Sequence, residues 1–141
     1  METIITNSVK QTQEIGTKLA RKLRKGDIVC LYGNLGSGKT SFVQGLAKGL
    51  GISKRIISPT FIIMRSYEIK NYNFYHIDLY RIYGKDDLIP LGITELIKSR
   101  ENILAIEWAE KLNEVLPQKR IDLHFKQVDE NTRSILMERH E

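Results

Sequence analysis

The segment from Gly33 to Thr40 carries the residue types that bind phosphate, because it fits the pattern G-x-x-x-x-G-K-[S/T] at every fixed position. Its glycines allow backbone conformations that residues with a Cβ avoid, so that successive N–H groups can point at one anion. Lys39 is expected to reach the β- and γ-phosphates of a nucleotide, and the Thr40 hydroxyl to ligate Mg²⁺. The alternative is a glycine-rich turn with a surface lysine and a capping threonine.

A magnesium ion beside such a loop usually needs a carboxylate at the end of a neighbouring strand. Glu107 follows the apolar residues 103–106, which is the usual setting for that carboxylate. Asp78 lies in a segment where polar residues alternate with Ile77 and Leu79 and therefore share one strand face. The two positions compete, and we assign both to the site. The alternatives are a solvated strand end for Glu107 and a surface hairpin position for Asp78.

Several other residues have side chains that could take part in chemistry. His76 has the spacing of half a metal site, but three histidines without a cysteine cluster do not favour structural zinc, and we predict a hydrogen-bonded strand histidine. Thr60 is either a switch residue that senses the γ-phosphate or a turn residue. Trp108 is a core or cleft aromatic, or alternatively a partner contact. Four arginines that could stabilise a transferring phosphoryl group cannot be ranked from sequence: Arg55, Arg65, Arg81 and Arg133.

The elements around the loop occur in the order that phosphate binding requires. The apolar run 28–32 predicts a buried strand before the loop, and apolar residues recur at helical spacing after it, from Phe42 to Leu50. A first helix is predicted to open at Ser8, where residues 8–11 fit a capping box, and to end by Gly26.

The rest of the chain alternates between strand and helix patterns. The predictions are a hairpin of Phe61–Ile69 and Tyr72–Tyr80, two short helices around Gly92, a buried strand at 103–106, a short helix to Leu116, and a hairpin of Arg120–Phe125 and Thr132–Met137. Parallel strands joined through helices, together with two hairpins, predict an α/β domain with a mixed sheet.

Composition sets limits on the class of protein. The 141 residues, 41% hydrophobic and 28% charged, predict one globular domain over residues 1–141 with no room for a separate substrate domain. We expect no membrane association and no signal peptide, because the apolar runs are short and the segment 1–10 is polar. The single cysteine, Cys30, is predicted to lie in the core, which fits a cytoplasmic protein.

The net charge of +5 permits contact with nucleic acid or with an acidic partner without requiring it. Part of this charge lies on one side of the predicted first helix, at Lys18, Arg21, Lys22 and Lys25. That basic face is either simply solvated or a docking surface for RNA or protein.

Four motifs in this order make the chain resemble the TsaE (YjeE) family: the phosphate loop, Ser-Pro-Thr-Phe at 58–61, His-Ile-Asp-Leu-Tyr-Arg at 76–81, and Ile-Glu-Trp at 106–108. The resemblance covers nearly the whole chain. It implies a bacterial ATPase needed for the threonylcarbamoyl-adenosine modification of tRNA beside the anticodon, acting with a transferase complex of TsaB and TsaD. It also implies a P-loop fold whose parallel sheet is flanked by antiparallel strands, with helices on both faces.

The resemblance assigns roles to particular residues. It implies an ATP phosphate site formed by Leu35, Gly36, Ser37, Gly38, Lys39 and Thr40. It implies that Thr40 and Glu107 ligate Mg²⁺, that Asp78 is needed for hydrolysis, and that segments near Val9 and Thr132 flank the adenine. The chain departs from the family at Asn34, usually Asp, and at Ser37, usually Ala. The change at Asn34 removes a negative charge but leaves the backbone cradle.

Three functions remain open from the sequence. The first is a slow Mg²⁺-dependent ATPase, expected to be a monomer, whose nucleotide state controls binding to the transferase complex, with tRNA contacted only indirectly or weakly. The second is a small-molecule kinase that uses the same loop. The third is a nucleotide-gated scaffold without useful turnover. A GTPase is disfavoured because the chain has no Asn-Lys-x-Asp motif.

Overall fold

The computed structural model describes residues 1–57, 59 and 63–141. Its strands are β1 (Glu2–Thr6), β2 (Ile28–Tyr32), β3 (Met64–Ile69), β4 (Tyr72–Asp78), β5 (Ile103–Glu107), β6 (Arg120–Gln127) and β7 (Arg133–His140). Its α-helices are α1 (Val9–Ala20), α2 (Lys39–Gly49) and α3 (Ile93–Ser99), and 3₁₀ turns occur at Lys85–Asp87, Ile89–Leu91 and Ala109–Val115.

The described strands form one seven-stranded sheet in the order β1-β7-β6-β2-β5-β4-β3. The four central strands β6, β2, β5 and β4 are parallel, whereas β7, β1 and β3 are antiparallel to their neighbours. The predicted fold, a parallel sheet flanked by antiparallel strands, is confirmed. In such a sheet the carboxyl ends of the parallel strands share one edge, where ligands of α/β proteins bind.

Helices cover both faces of the sheet, as predicted. Alternate residues of β2 point to opposite sides, so that Val29 and Leu31 pack with Phe42 of α2, while Ile28 and Cys30 pack with Ile97 of α3. The helices α1 and α2 belong to the first layer, and α3 with the turn at Ala109–Val115 belongs to the second. Cys30 is fully buried, which confirms its predicted place in the core.

Glycines allow α1 and α2 to pack with their backbones almost in contact. A Cβ added at Gly45 would lie 1.9 Å from the Gln13 carbonyl oxygen, and one at Gly49 would lie 2.8 Å from that of Thr17. The Thr17 hydroxyl donates to Gly45 O across the same interface at 3.0 Å. Because the contacts advance in the same direction along both helices, the two run parallel, and the start of α1 lies beside the start of α2.

The structure adds one strand to the predicted elements and moves several boundaries: β4 ends at Asp78 and not at Tyr80, β6 extends to Gln127 and not only to Phe125, and β7 spans Arg133–His140 and not Thr132–Met137. The edge strand β1, which pairs with β7, was not predicted. The first helix opens at its predicted cap, where Ser8 accepts from Gln11 N at 3.1 Å, and it ends at Ala20, before the predicted limit of Gly26. Strand β3 begins at Met64, and the earlier part of the predicted hairpin strand, including Phe61, lies partly outside the described residues. None of the helices in the described ranges is long and apolar enough to cross a membrane.

Candidate functional site

The loop between β2 and α2 alternates its backbone handedness. Gly36 and Gly38 have φ values of 78° and 105°, in the left-handed region, while Ser37 between them does not. At Gly33, with φ 144°, a Cβ would also approach Phe125 O to 2.7 Å, so that only glycine fits. Alternating handedness next to a helix N-terminus is the geometry that turns successive N–H groups toward one anion.

Ser37 contributes to this loop through its backbone. Its side chain is 2% exposed, and its hydroxyl has no hydrogen-bond partner among the described residues. The same oxygen would lie 2.8 Å from a Cβ at Gly33, which places it beneath the loop. Leu35, by contrast, exposes 65% of its surface at the rim of the cleft described below. Both predicted loop residues therefore offer only main-chain groups to a polar ligand.

Lys39, the first residue of α2, is only 4% exposed. Its ammonium donates to the Gly33 carbonyl and lies 3.9 Å from the centroid of the Trp108 ring. Burial lowers the pKa of Lys39, and the negative charges of Glu107 and Asp78 oppose that shift. A partly desolvated cation at the mouth of an anion cradle is stabilised by a bound phosphate.

The two predicted carboxylates lie side by side at the ends of adjacent parallel strands. Asp78 is the last residue of β4, Glu107 is the last residue of β5, and the two are register partners. Each is 3% exposed, and Asp78 Oδ1 accepts from Tyr80 N at 2.9 Å. The β4–β5 pairing therefore brings both carboxylates to the same point beside Lys39.

The Thr40 hydroxyl lies beside these carboxylates. It is 3.4 Å from both carboxylate oxygens of Glu107, across the gap between α2 and β5. In the described part of the chain, no three His, Cys, Asp or Glu side chains converge so as to hold a metal ion by themselves. One hydroxyl with one or two carboxylates suits Mg²⁺, because this ion keeps waters and takes further oxygens from substrate phosphates.

His76 lies behind this carboxylate. Its Nε2 is 2.5 Å from Glu107 Oε2, and neither side chain is more than 3% exposed. The predicted hydrogen-bonded strand histidine is confirmed. Its partner was not predicted, because no local pattern shows which β5 residue faces position 76.

A cleft of about 320 Å³ opens over the loop. One side is formed by the start of α1, where Val9 is 63% exposed. The neighbouring part of its wall is formed by the loop between β6 and β7, through Glu130, Asn131 and Arg133. Residues that line the cleft are Ser8, Val9, Thr12, Leu35, Gly36, Gly38, Lys39, Thr40, Ser41, Asp78, Glu107, Trp108, Glu130, Asn131 and Arg133. The predicted loop residues, Val9 and both carboxylates are therefore brought together, with Ser37 buried beneath them. The predicted Thr132 does not line the cleft, although its neighbours Asn131 and Arg133 do.

The loop between β6 and β7 is held by its own hydrogen bonds. Asp129 Oδ1 accepts from the backbone N–H groups of Asn131 and Thr132 at 3.0 and 2.8 Å, and these bonds lower the pKa of Asp129. Arg133 donates to the carbonyls of Asp129, Glu130 and Thr132 at 3.0 to 3.2 Å. The Thr132 hydroxyl donates to Asn7 Oδ1 at 3.3 Å, so that it ties this loop to the residue before the α1 cap.

Only some of the remaining candidate residues lie in the cleft. Arg133 lines the cleft, while Arg55 lines a separate groove at the carboxyl end of α2, with Lys48 and Lys54. Arg65 lies on β3 and Arg81 is exposed. Thr60, predicted as either a phosphate-sensing switch residue or a turn residue, lies outside the described residues, as does Ser58. Trp108 lies in the cleft over Lys39 and adopts φ 58°, a conformation that costs a non-glycine residue about 1 kcal/mol.

Five residues that line the cleft were not predicted from the sequence: Ser8, Thr12, Ser41, Glu130 and Asn131. Ser8 was recognised only as a helix cap. The parallel packing of α1 on α2 brings this cap to the cleft, and no local pattern predicts that packing.

The chain is similar to known proteins in both sequence and fold. The family profile described as "Threonylcarbamoyl adenosine biosynthesis protein TsaE" matches residues 6–135. A protein of Rickettsia felis named tRNA threonylcarbamoyladenosine biosynthesis protein TsaE is 36% identical over 92% of this chain and 75% of its own length. The protein of that name from Treponema pallidum is 34% identical over 93% and 96%. The crystal structure of Bacillus subtilis YdiB superposes with a TM-score of 0.80 at 31% identity, covering 99% of this chain and 86% of that one.

Proposed function

This chain belongs to the TsaE family, and we propose that its cleft binds and hydrolyses MgATP in the service of threonylcarbamoyladenosine formation on tRNA. The observation that carries the proposal is the convergence of Lys39 and Thr40, at the start of α2, with Asp78 and Glu107 at the ends of two adjacent strands. Three separate stretches of sequence thus supply the cation, the hydroxyl and the carboxylates that a nucleotide site requires.

The phosphates would lie over the loop and the N-terminus of α2. Backbone N–H groups there bind the β-phosphate region, while the helix contributes roughly half a positive charge. The adenine would lie between the start of α1 at Val9 and the loop that contains Thr132. Both segments border the same cleft, and the Thr132–Asn7 hydrogen bond joins them.

In ATP hydrolysis, each polar side chain of the cleft would have a separate role. Thr40 and Glu107 hold Mg²⁺, which when bound neutralises charge on the β- and γ-phosphates. Lys39 stabilises the charge that develops on the transferring phosphoryl group. Asp78, buried and anchored through Tyr80 N, accepts a hydrogen bond from the attacking water and orients it. For this, Lys39 has to leave the Gly33 carbonyl and turn toward the phosphates.

The small size of the domain suggests that hydrolysis acts on a partner. We propose that the protein is a cytoplasmic monomer, that a TsaB–TsaD-like transferase complex is the partner, and that tRNA is contacted only indirectly or weakly. The nucleotide state would then control binding and release of the complex, since a ligand shifts an equilibrium only through its different affinity for the two states.

The experiment is to measure ATP hydrolysis by the purified protein alone, with TsaB and TsaD proteins, and with both proteins plus tRNA, while modified nucleoside is quantified in the same reactions. We expect slow Mg²⁺-dependent hydrolysis that the complex stimulates. Thr40→Val should abolish both readouts, whereas the matched Thr40→Ser variant keeps the hydroxyl and should retain them. Full tRNA modification by Thr40→Val, or a specific phosphorylated metabolite in place of partner stimulation, would overturn the proposal in favour of a scaffold or a kinase.

A further inference from the structure

We propose that His76 is a positioning residue for the metal site, which holds the Glu107 carboxylate in the orientation that Mg²⁺ requires. The inference rests on the proposed function, since it takes Glu107 as a metal ligand. It assigns a task to a buried polar side chain that does not itself line the cleft.

The geometry of the sheet brings the two side chains together. His76 lies two residues before Asp78 on β4, so both point to the same face, and Asp78 is the register partner of Glu107. His76 is therefore the diagonal neighbour of Glu107 on the adjacent strand. His76 Nε2 and Glu107 Oε2 lie 2.5 Å apart across this diagonal, and both side chains are buried.

The hydrogen-bonding pattern indicates which nitrogen carries the proton. An ionised carboxylate only accepts, so Nε2 must donate. Nδ1 is buried and has no hydrogen-bond partner among the described residues. Nε2 is therefore the ring nitrogen through which His76 contacts Glu107.

The hydrogen bond from His76 limits the orientations that the Glu107 carboxylate can adopt. The Thr40 hydroxyl lies 3.4 Å from both carboxylate oxygens, and the charge of the Lys39 ammonium attracts the same group. Without His76, the carboxylate is free to turn toward Lys39 and away from the ion. With Nε2 fixed on Oε2, the carboxylate stays directed toward Thr40. Partners that orient a metal ligand typically contribute about 10- to 100-fold to metal affinity.

The test uses two variants that differ in one donor. His76→Gln places an amide N–H where Nε2 lies, whereas His76→Leu fills similar space without a donor. Mn²⁺ binding to the ADP-saturated full-length protein is measured by the electron paramagnetic resonance signal of free Mn²⁺. ADP affinity in EDTA is measured in parallel, because it reports the cradle without the metal.

We expect His76→Leu to weaken Mn²⁺ binding about 10- to 100-fold and His76→Gln by less than about threefold. ADP affinity in EDTA should stay within about twofold of wild type for both variants. In a Glu107→Gln background, His76→Leu should cause no further loss of Mn²⁺ affinity, because the ligand being positioned is already gone.

Wild-type Mn²⁺ affinity in His76→Leu would overturn the proposal. So would equal losses in the Gln and Leu variants with intact ADP binding. If His76→Leu does not fold, His76→Asn replaces it, since this shorter amide cannot reach Oε2 and should fail where Gln succeeds; equal affinities of Asn and Gln would then overturn the proposal. Failure of the wild type to bind ADP and Mn²⁺ would count against the proposed function instead.

Discussion

Lys39 Nζ lies 3.9 Å from the centroid of the Trp108 ring while it donates to the Gly33 carbonyl. An ammonium held over an indole at this distance is stabilised by the electrons of the ring. In this arrangement the residue that should contact phosphates is paired with an aromatic ring and a carbonyl. Nucleotide binding therefore has to exchange these two partners for phosphate oxygens.

Trp108 should report this exchange directly, because it is the only tryptophan of the chain. We expect its fluorescence to change on addition of MgADP, as the ammonium leaves the ring. AMP is the matched ligand control, since it lacks the β-phosphate that attracts Lys39. Lys39→Met should remove the ADP-specific part of the change, whereas Lys111→Met, whose ammonium is 5.9 Å from the same ring, should keep it. Equal responses to saturating AMP and ADP would contradict the exchange.

Gly45→Ala tests the close packing of α1 on α2. The added Cβ would meet the Gln13 carbonyl at 1.9 Å, so the helices must separate. Overpacking of this kind costs roughly 1–3 kcal/mol, which offsets the better helix propensity of alanine. Urea unfolding should show a loss of that size. Gly84→Ala is the control, because its Cβ would meet nothing within 4 Å and should change stability by less than about 0.5 kcal/mol. Equal stability of the two variants would refute the packing argument.

Arg133→Ala tests whether the loop between β6 and β7 forms part of the nucleotide site. The guanidinium donates to three carbonyls of that loop, and its loss should loosen the wall of the cleft. We expect the Kd for ATP to rise about fivefold, the equivalent of roughly 1 kcal/mol. The exposed Arg139, on the same strand, provides the control substitution Arg139→Ala. Unchanged ATP affinity in Arg133→Ala would exclude this loop from the site.

Burial, followed by the nearby charge of Asp122, raises the pKa of the Cys30 thiol to about 12. The reactive form is the thiolate, and at pH 8 its fraction in the folded protein is only about 10⁻⁴. A disulfide reagent such as DTNB should therefore leave the folded protein unmodified and should titrate one thiol after urea is added. Rapid stoichiometric reaction without denaturant would contradict the buried position.

Sequence patterns predicted the central elements because those elements have strong local signals. A segment of a few residues is enough to recognise each of them: the glycine loop, the buried strands β2 and β5, and the cap at Ser8. The edge strand β1 does not, since most of its residues face solvent and its stability comes from pairing with β7, at the other end of the chain. Its backbone hydrogen bonds are made to β7, which is distant in sequence, so a local sequence pattern does not predict them.

The residues of the candidate site likewise differ in whether a local sequence pattern predicts them. Lys39 and Thr40 were predicted as site residues from the phosphate-loop pattern, and Asp78 and Glu107 from the strand patterns in which they occur. The contact between His76 and Glu107 was not, since it depends on the register of β4 against β5. Trp108 was placed only as a core or cleft aromatic, and its pairing with Lys39 follows from the turn after β5.

The most direct test of the account is a calorimetric titration of ATP into the wild-type protein and Thr40→Val, each in Mg²⁺ and in EDTA. Wild type should bind one ATP per chain, at least about tenfold more tightly with Mg²⁺ than without it. Thr40→Val should keep the metal-free affinity and lose the Mg²⁺ increment. No binding of ATP by wild type, or the same Mg²⁺ increment in both proteins, would contradict the claim that this cleft is a MgATP site.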